Sequence, residues 1–525
     1  MNAGIANAEH MSERARMLAF LVMAFGMFMA LLDIQIVASS LTEIQSGLAA
    51  TSDEISSIQT AYLVAEVIMI PLSGWLSRIF STRWLFTLSA AGFTLASIAC
   101  AFAWNIESMV AFRALQGFIG GAMIPTVFAT GFVMFTGASQ ARIPAILGLV
   151  ATLAPTIGPT VGGYITEHLS WRWLFLMNVA PGIAISALVP ALVRIDEPQP
   201  ELLKRFDLLG IVCLALFLGC LQYVLEEGAR NGWFEDGTLT ALLAVSLAAG
   251  GAFVWRSLSV AAPVVDLHAF RHVNFLVGCV LSFILGFGMY GMIYLSPLFL
   301  GLIRGYDALQ VGNTLWVVGL FQILATPLTV VLLQRVNIRH LLAAGFLLVA
   351  ASNWRFSLIT ADWGFGEMFW PQALRGLGLM LCIVPVTRLA LGELTPAELK
   401  GASGLYNLMR NLGGAVGLAV LNTQLFYDRF TLHYDRLAES LSGANRGAPV
   451  ALAALGGRFH RVTADAAAAL QSGERYVTRL LTQQALTLSF ADLFFLLTVL
   501  FAAALLIVPL ARHLPMTAGA DIHGE

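Results

Sequence analysis

Asp33, Glu66 and Arg113 are ionisable residues set inside long apolar runs. Asp33 sits in Met29-Ala-Leu-Leu-Asp33-Ile-Gln35-Ile-Val37, within a run from about Met17 to Ser40. Such a run is long enough to cross a bilayer, which takes roughly 20 residues. A charged Asp in hydrocarbon costs about 2.5–3.5 kcal/mol on insertion scales, so it persists where a cavity or a partner receives it. The chemistry open to it is proton or substrate binding. A structural polar contact between helices would use the same residue.

Two further runs carry such groups. Gln59, Tyr62 and Glu66 recur at helical spacing and so share one face. Arg113 opens Arg113-Ala-Leu-Gln116-Gly117-Phe-Ile-Gly120-Gly121. Counting inwards from the outer ends of their spans at 1.5 Å per residue, Asp33 and Arg113 both lie roughly 6–11 Å deep. Groups of opposite sign at like depth can neutralise each other, so the two are expected to face one cavity, with Glu66 a turn deeper. In the later half the buried polar candidates are Tyr290, Tyr294, Gln322, Arg355, Gln372, Arg375, Asn407 and Arg410. Arg355 and Arg375 fall in the outer halves of their spans, where each either lines a site or snorkels outwards. Gln35, Gln59, Tyr62 and Gln116 complete the candidate binding set.

The elements that must position these residues follow from composition. The chain has 525 residues, 58% hydrophobic and 11% charged, against about 25% charged in soluble proteins. This is an all-α polytopic membrane protein. Apolar windows fall near 17–40, 56–76, 84–104, 109–132, 143–166, 173–193, 208–225, 238–257, 274–297, 308–333, 341–359, 368–390, 404–424 and 490–510, which makes about fourteen helices. One set of loops carries Arg14, Arg16, Arg78, Arg83, Arg142, Arg194, Lys204, Arg256, Arg335, Lys400 and Arg512; the short loops of the other carry Arg172, Arg230 and Arg304. The basic set belongs inside, so both termini (1–16 and 511–525) are expected in the cytoplasm. The first run follows Arg14 and Arg16 but is too long for a signal-peptide core, and reads as an uncleaved span.

Two stretches have backbone chemistry of their own. Gly74-Trp-Leu-Ser-Arg78-Ile-Phe-Ser-Thr-Arg83 pairs a helix-contact glycine with basic residues at a turn. Ala154-Pro155-Thr-Ile-Gly158-Pro159-Thr-Val-Gly162-Gly163 combines close contact with freed carbonyls. It suits a helix that bends or rocks, and equally a close-packed pair. Residues 425–489 form a long segment expected outside, helix-like over Ala464–Leu470 and Glu474–Leu488. It offers either a docking surface for an envelope partner or a solvated loop. The five cysteines lie in apolar runs without CxxC spacing and read as small buried hydrophobes. No cofactor or metal is expected, nothing suggests nucleic-acid binding, and no G-x-x-x-x-G-K-[ST] loop supports ATP drive.

Together these motifs resemble the fourteen-span drug:H+ antiporters of the major facilitator superfamily, and within them the EmrB-type multidrug exporters. The resemblance rests on Leu32–Val37, Gly74–Arg83, Arg113–Gly121 and the antiporter motif Gly158–Gly163, and extends to Pro263-Val-Val-Asp266-Leu, Trp370-Pro371-Gln372 and the long outer loop. Three positions depart from it. Arg78 replaces the usual Asp of the helix 2–3 loop, which puts the family's gate-locking ion pair in question. Gln35 stands where Thr is common, and Arg375 where a neutral polar residue is frequent.

The resemblance implies two six-helix halves (17–193 and 274–510) with two extra helices between them (208–257), each half built of inverted repeats around a midplane site. It implies proton-driven export of hydrophobic substrates from a bacterial inner membrane, with a periplasmic adaptor (membrane fusion protein) on the 425–489 segment and an outer-membrane channel. On it, Asp33, Glu66 and Arg113 couple protons, and Gly74, Arg78, Gly158, Pro159, Gly162 and Gly163 serve conformational change. The arginines of the later half suggest lipophilic anions as substrates. A more specific solute transporter, a non-transporting receptor or a membrane enzyme on lipid or acyl groups are the alternatives; only His460-x4-Asp465 has a spacing that would serve the last.

Overall fold

A computed structural model of the chain describes residues 12–51, 54–135, 137–205, 207–260, 263–440 and 466–512. Helices occupy every apolar window, and no strand occurs among the described residues. They are numbered here in chain order. The first group is α1 Glu13–Ser39, α2 Ser56–Phe80, α3 Thr82–Ala101, α4 Ile106–Met134, α5 Ile143–His168 and α6 Trp173–Leu192. Next come α7 Leu208–Glu227 and α8 Gly237–Ser259. The last group is α9 Val273–Leu302, α10 Ala308–Arg335, α11 Ile338–Phe356, α12 Phe365–Leu391, α13 Pro396–Thr423 and α14 Ala466–Ala504.

Twelve of these are long and apolar enough to cross a membrane. The other two, α11 and α13, occupy their windows but carry more polar side chains: Arg339, His340, Asn353 and Arg355 on one, Glu398, Lys400, Asn407, Arg410 and Asn411 on the other. The 27 residues of α1 span about 40 Å at 1.5 Å each, more than the ~30 Å of bilayer hydrocarbon. Leu18, Leu21, Phe25, Leu88, Leu95 and Leu247 are exposed on the outside of the bundle, an apolar surface suited to lipid rather than water.

Short polar side chains set the helix starts. Asn105 and Ser108 form a reciprocal cap at α4, Asp307 and Gln310 at α10, each satisfying backbone N–H groups that have no partner in the first turn. Asp207 and Asp236 cap α7 and α8.

Glycines decide which helices touch. A Cβ on Gly158 would stand 2.5 Å from the Gln35 Cβ, and one on Gly162 would stand 2.6 Å from the Ser39 Oγ, so α5 presses on α1 along the stretch singled out for its Gly and Pro content. Gly163 is buried on the same helix. Gly286 and Gly413 bring α9 against α13 backbone to backbone. Between the two groups of six, α2 meets α13, α5 meets α10 and α12, and α7 lies against both α2 and α13.

The 425–489 segment is more helical than expected. A π-turn at Gln424–Asp428 leads into a helix Arg429–Ser440, and α14 runs unbroken from Ala466. The two helix-like pieces merge because Ser472 and Gly473 weaken a helix by only about 1 kcal/mol each and do not end it. His460 and Asp465 lie outside the described residues.

Candidate functional site

Asp33 and Arg113 meet. Arg113 Nη1 stands 2.6 Å from Asp33 Oδ2, and both side chains are fully buried. Around the pair is a closed polar knot drawn from five helices. Asn178 Nδ2 donates to Asp33 Oδ1 at 2.7 Å, and Gln116 Nε2 donates to the same oxygen at 3.2 Å. Gln116 also accepts from Arg113 Nη1 at 2.6 Å and donates to Ser97 Oγ at 2.7 Å. The guanidinium lies 4.2 Å over the Tyr62 ring, a contact made possible because Gly117 lets α4 touch the Tyr62 backbone. Arg113 Nε and Nη2 have no hydrogen-bond partner among the described residues.

The pair does not face the space between the two groups of helices. Asp33, Tyr62, Arg113 and Gln116 line neither the chamber nor the two recesses described below, and the knot is buried inside the first six helices. The physical reason is saturation: Asp33 already takes three hydrogen bonds, so no water is needed to satisfy it.

Between the two groups of helices lies a chamber of about 500 Å³, walled by Gln35, Gln59, Pro159, Tyr290 and Tyr294 and reaching Leu302 and Tyr306. These last residues stand where α9 ends and α10 begins, beside the ends of α1 and α2 nearest residues 40–55. Tyr294 OH donates to Asn422 Oδ1 at 3.1 Å. Two recesses share walls with the chamber. One, of about 70 Å³, holds Glu66, Gln222, Glu226 and Asn411. The other, of about 40 Å³, is lined by Met289, Met292, Leu315 and Leu379 and contains Arg375 and Gln322.

Arg375 is nearly alone. Its Nη1 donates to Ser296 Oγ at 3.0 Å, and its guanidinium lies 4.5 Å over the Phe356 ring. Its Nε and Nη2, like Gln322 Oε1, are buried without a partner. No carboxylate forms an ion pair with it among the described residues.

The other candidates lie elsewhere. Gln372 donates to the Thr314 carbonyl at 3.0 Å and is buried between α12 and α10. Asn407 Oδ1 accepts from Arg410 Nη2 at 2.8 Å, and Arg410 lies 5.3 Å over Phe128. Neither lines the chamber. Arg355 is exposed and stacks over Trp363 at 5.1 Å; at the end of its helix it snorkels outwards rather than facing a site.

At the far end from the chamber mouth the two groups are in contact. A Cβ on Gly74 would stand 2.5 Å from the Lys400 carbonyl. Lys400 Nζ is paired with Asp196 and also donates to the Ser77 carbonyl at 3.4 Å. Asp196 accepts from Thr82 N at 2.9 Å. Arg78 contributes its carbonyl, which accepts from Gln199 N at 3.0 Å, and makes no ion pair among the described residues. Thus an ion pair does bridge this end, from Asp196 and Lys400 rather than from the helix 2–3 loop.

Sequence reasoning missed Ser97, Asn178, Asp196, Gln222 and Glu226. Asn178 is a lone uncharged residue in an apolar run, and Glu226 falls just past the expected end of its helix, so neither stood out. Among the described residues no group of three or more His, Cys, Asp or Glu side chains could hold a metal ion.

A sequence profile of the Major Facilitator Superfamily matches residues 23–418. The chain belongs to the major facilitator superfamily. Within it the chain is 38% identical over 495 residues to the Colistin resistance protein EmrB of Acinetobacter baumannii, covering 94% of this chain and 96% of that one. It is 27% identical to the Multidrug export protein EmrB of Escherichia coli strain K12, covering 95% and 96%. It is 31% identical to the Fatty acid resistance protein FarB of Neisseria gonorrhoeae, covering 81% and 84%. Solved structures share the fold. A double-Trp mutant of XylE superposes with TM-score 0.58 at 12% identity, covering 95% of this chain and 96% of that one. The human organic anion transporter MFSD10 gives 0.55 at 13%, covering 94% and 100%. This member of the superfamily is an EmrB-type, multi-pass inner-membrane transporter and not an enzyme.

Proposed function

We propose that the chain is a proton-coupled antiporter that exports hydrophobic or amphiphilic toxic compounds, as the inner-membrane part of a tripartite pump. The observation that carries the coupling is the buried Asp33–Arg113 pair. A proton on Asp33 removes the charge that holds Arg113, whose Nε and Nη2 already lack partners. Asp33 faces the knot while its neighbours Ile34 and Gln35 face the chamber side, and α5 is locked to the same turn of α1 through Gly158. Loosening the pair therefore moves the chamber wall. One charge crossing the membrane releases about 2.3 kcal/mol per 100 mV. Glu66 takes either a proton or a cationic group of a substrate.

Lipophilic anions such as fatty acids, weak-acid uncouplers or bile-salt-like detergents suit the Arg375 recess, where an apolar lining surrounds a cation with free N–H groups. The adaptor's seat is the outer part of α14. The 39 residues of α14 span nearly 60 Å at 1.5 Å each, far beyond a ~30 Å core. The helix Arg429–Ser440 packs on α14 and is tied to the outer end of its apolar window by Asp492, which pairs with Arg429 at 3.3 Å and His433 at 2.9 Å. The Arg distribution supports cytoplasmic termini.

Efflux driven by an imposed pH gradient in proteoliposomes tests the coupling, and co-purification with the neighbouring envelope proteins tests the assembly. Loss of gradient-driven efflux in Asp33→Asn supports the reading. Efflux that ignores the gradient in the unmodified protein defeats it.

A further inference from the structure

Of four carboxylates near the chamber, two line it or its recess, Glu66 and Glu226, and these two have no ion pair among the described residues. Asp33 has Arg113, and Glu227 has Arg230 at 3.5 Å. Glu66, almost wholly buried, makes no hydrogen bond or ion pair among the described residues although it lines the recess. Arg113 and Arg410 lie within electrostatic reach of it without pairing. Glu226, on α7, lines both the recess and the chamber, and its one described partner is the neutral Gln222, whose Nε2 donates to Oε1 at 2.9 Å.

The placement of Glu226 is fixed from both sides. The adjacent Glu227 Oε1 accepts from Thr60 Oγ1 at 3.0 Å and Ser56 Oγ at 3.4 Å, which fastens α7 to α2. Just beyond, Trp233 Nε1 donates to Thr423 Oγ1 at 2.9 Å, which fastens the turn after α7 to the end of α13. The first of the two extra helices is therefore part of the chamber wall.

We propose that Glu226 and Glu66 form a cation subsite, built jointly by α7 and α2, for the protonated amine of amphiphilic substrates. It rests on the reading of the chamber as the substrate site and adds a subsite of opposite sign to the Arg375 recess. Two carboxylates without cations in a poorly solvated recess require positive charge from elsewhere. The rest of the lining favours an ammonium group over a bare proton. Gln59 Oε1 and Asn411 Oδ1 are buried acceptors without partners, which a group with several N–H donors would satisfy and a single proton would not. The Tyr290 ring, given room by Gly414, adds a face for cation–π contact. The recess of about 70 Å³ takes a head group, and the chamber of about 500 Å³ takes the apolar remainder.

Binding of a dansyl-labelled primary alkylamine, protonated at neutral pH, and of a dansyl-labelled fatty acid can be compared by fluorescence anisotropy on the full-length protein in detergent, with empty micelles as blank. In Glu226→Gln, which retains hydrogen bonding to Gln222, the amine-to-fatty-acid affinity ratio is expected to fall at least about tenfold, or 1.4 kcal/mol. Glu226→Asp should recover most of it. A ratio within twofold of the unmodified protein, or a parallel loss of both probes, would overturn the subsite alone. If neither probe binds the unmodified protein, the chamber itself is not a substrate site and the subsite falls with it.

Discussion

Arg113 and Arg375 are both arginines buried among apolar helices, one in each half, and they are treated in opposite ways. Arg113 is clasped by Asp33 and Gln116 inside a knot that lines neither the chamber nor its recesses. Arg375 has one hydroxyl and one aromatic face, and its remaining N–H groups have no partner beside an apolar recess. Both leave Nε and Nη2 without a partner among the described residues, so the difference is the ion pair: a charge held by a carboxylate stores a conformational state that a proton can release. An unpaired one is costly by itself and is explained by a ligand that completes it. On the proposed function, the first half holds the switch and the second the receptor.

The comparison can be broken most easily at the switch. Arg113→Gln leaves the Asp33 carboxylate buried without its cation and should cost about 3–5 kcal/mol of stability, read as a large drop in thermal unfolding temperature in detergent. Asp33→Asn combined with Arg113→Gln should regain much of that loss. Next, Gly158→Ala sets a Cβ against Gln35 and should cost about 1–3 kcal/mol by overpacking, seen as weakened α1–α5 cross-linking. At the receptor, Arg375→Gln should leave thermal stability equal or higher, because no ion pair is lost, while lipophilic-anion affinity falls at least about tenfold. An Arg375 variant as unstable as the Arg113 variant would erase the distinction. The smallest effect belongs to the closed end. The Lys400–Asp196 pair is partly exposed, so Lys400→Ala should shift the balance between open and closed ends by about 1 kcal/mol, measurable as a changed distance distribution between spin labels.

The Asp33–Arg113 contact was legible in the sequence because a charge in hydrocarbon is too costly to be accidental, and helical rise placed the two residues at one depth. Its closed character was not, since Asn178, which donates to Asp33, and Ser97, which accepts from Gln116 and Asn178, are small uncharged residues with little signal in an apolar run. Every helix window was legible from hydropathy, but the unbroken α14 was not, because Ser472-Gly473 reads as a stop and acts as a tolerated weak point. Of the later-half candidates, Tyr290, Tyr294, Gln322 and Arg375 reach the chamber or its recesses, while Arg355, Gln372, Asn407 and Arg410 do not. Polarity alone cannot say which side of a buried helix faces the chamber. The Asp196–Lys400 bridge joins residues 204 apart in the chain, and no local pattern links them.

The central claim is that the proton is read at Asp33. Proteoliposomes containing Asp33→Asn, loaded with a fluorescent lipophilic anion and given an acid-outside gradient, test it directly. The account predicts that binding of the probe survives and that gradient-driven movement is abolished. Full gradient-driven movement in that variant would contradict it.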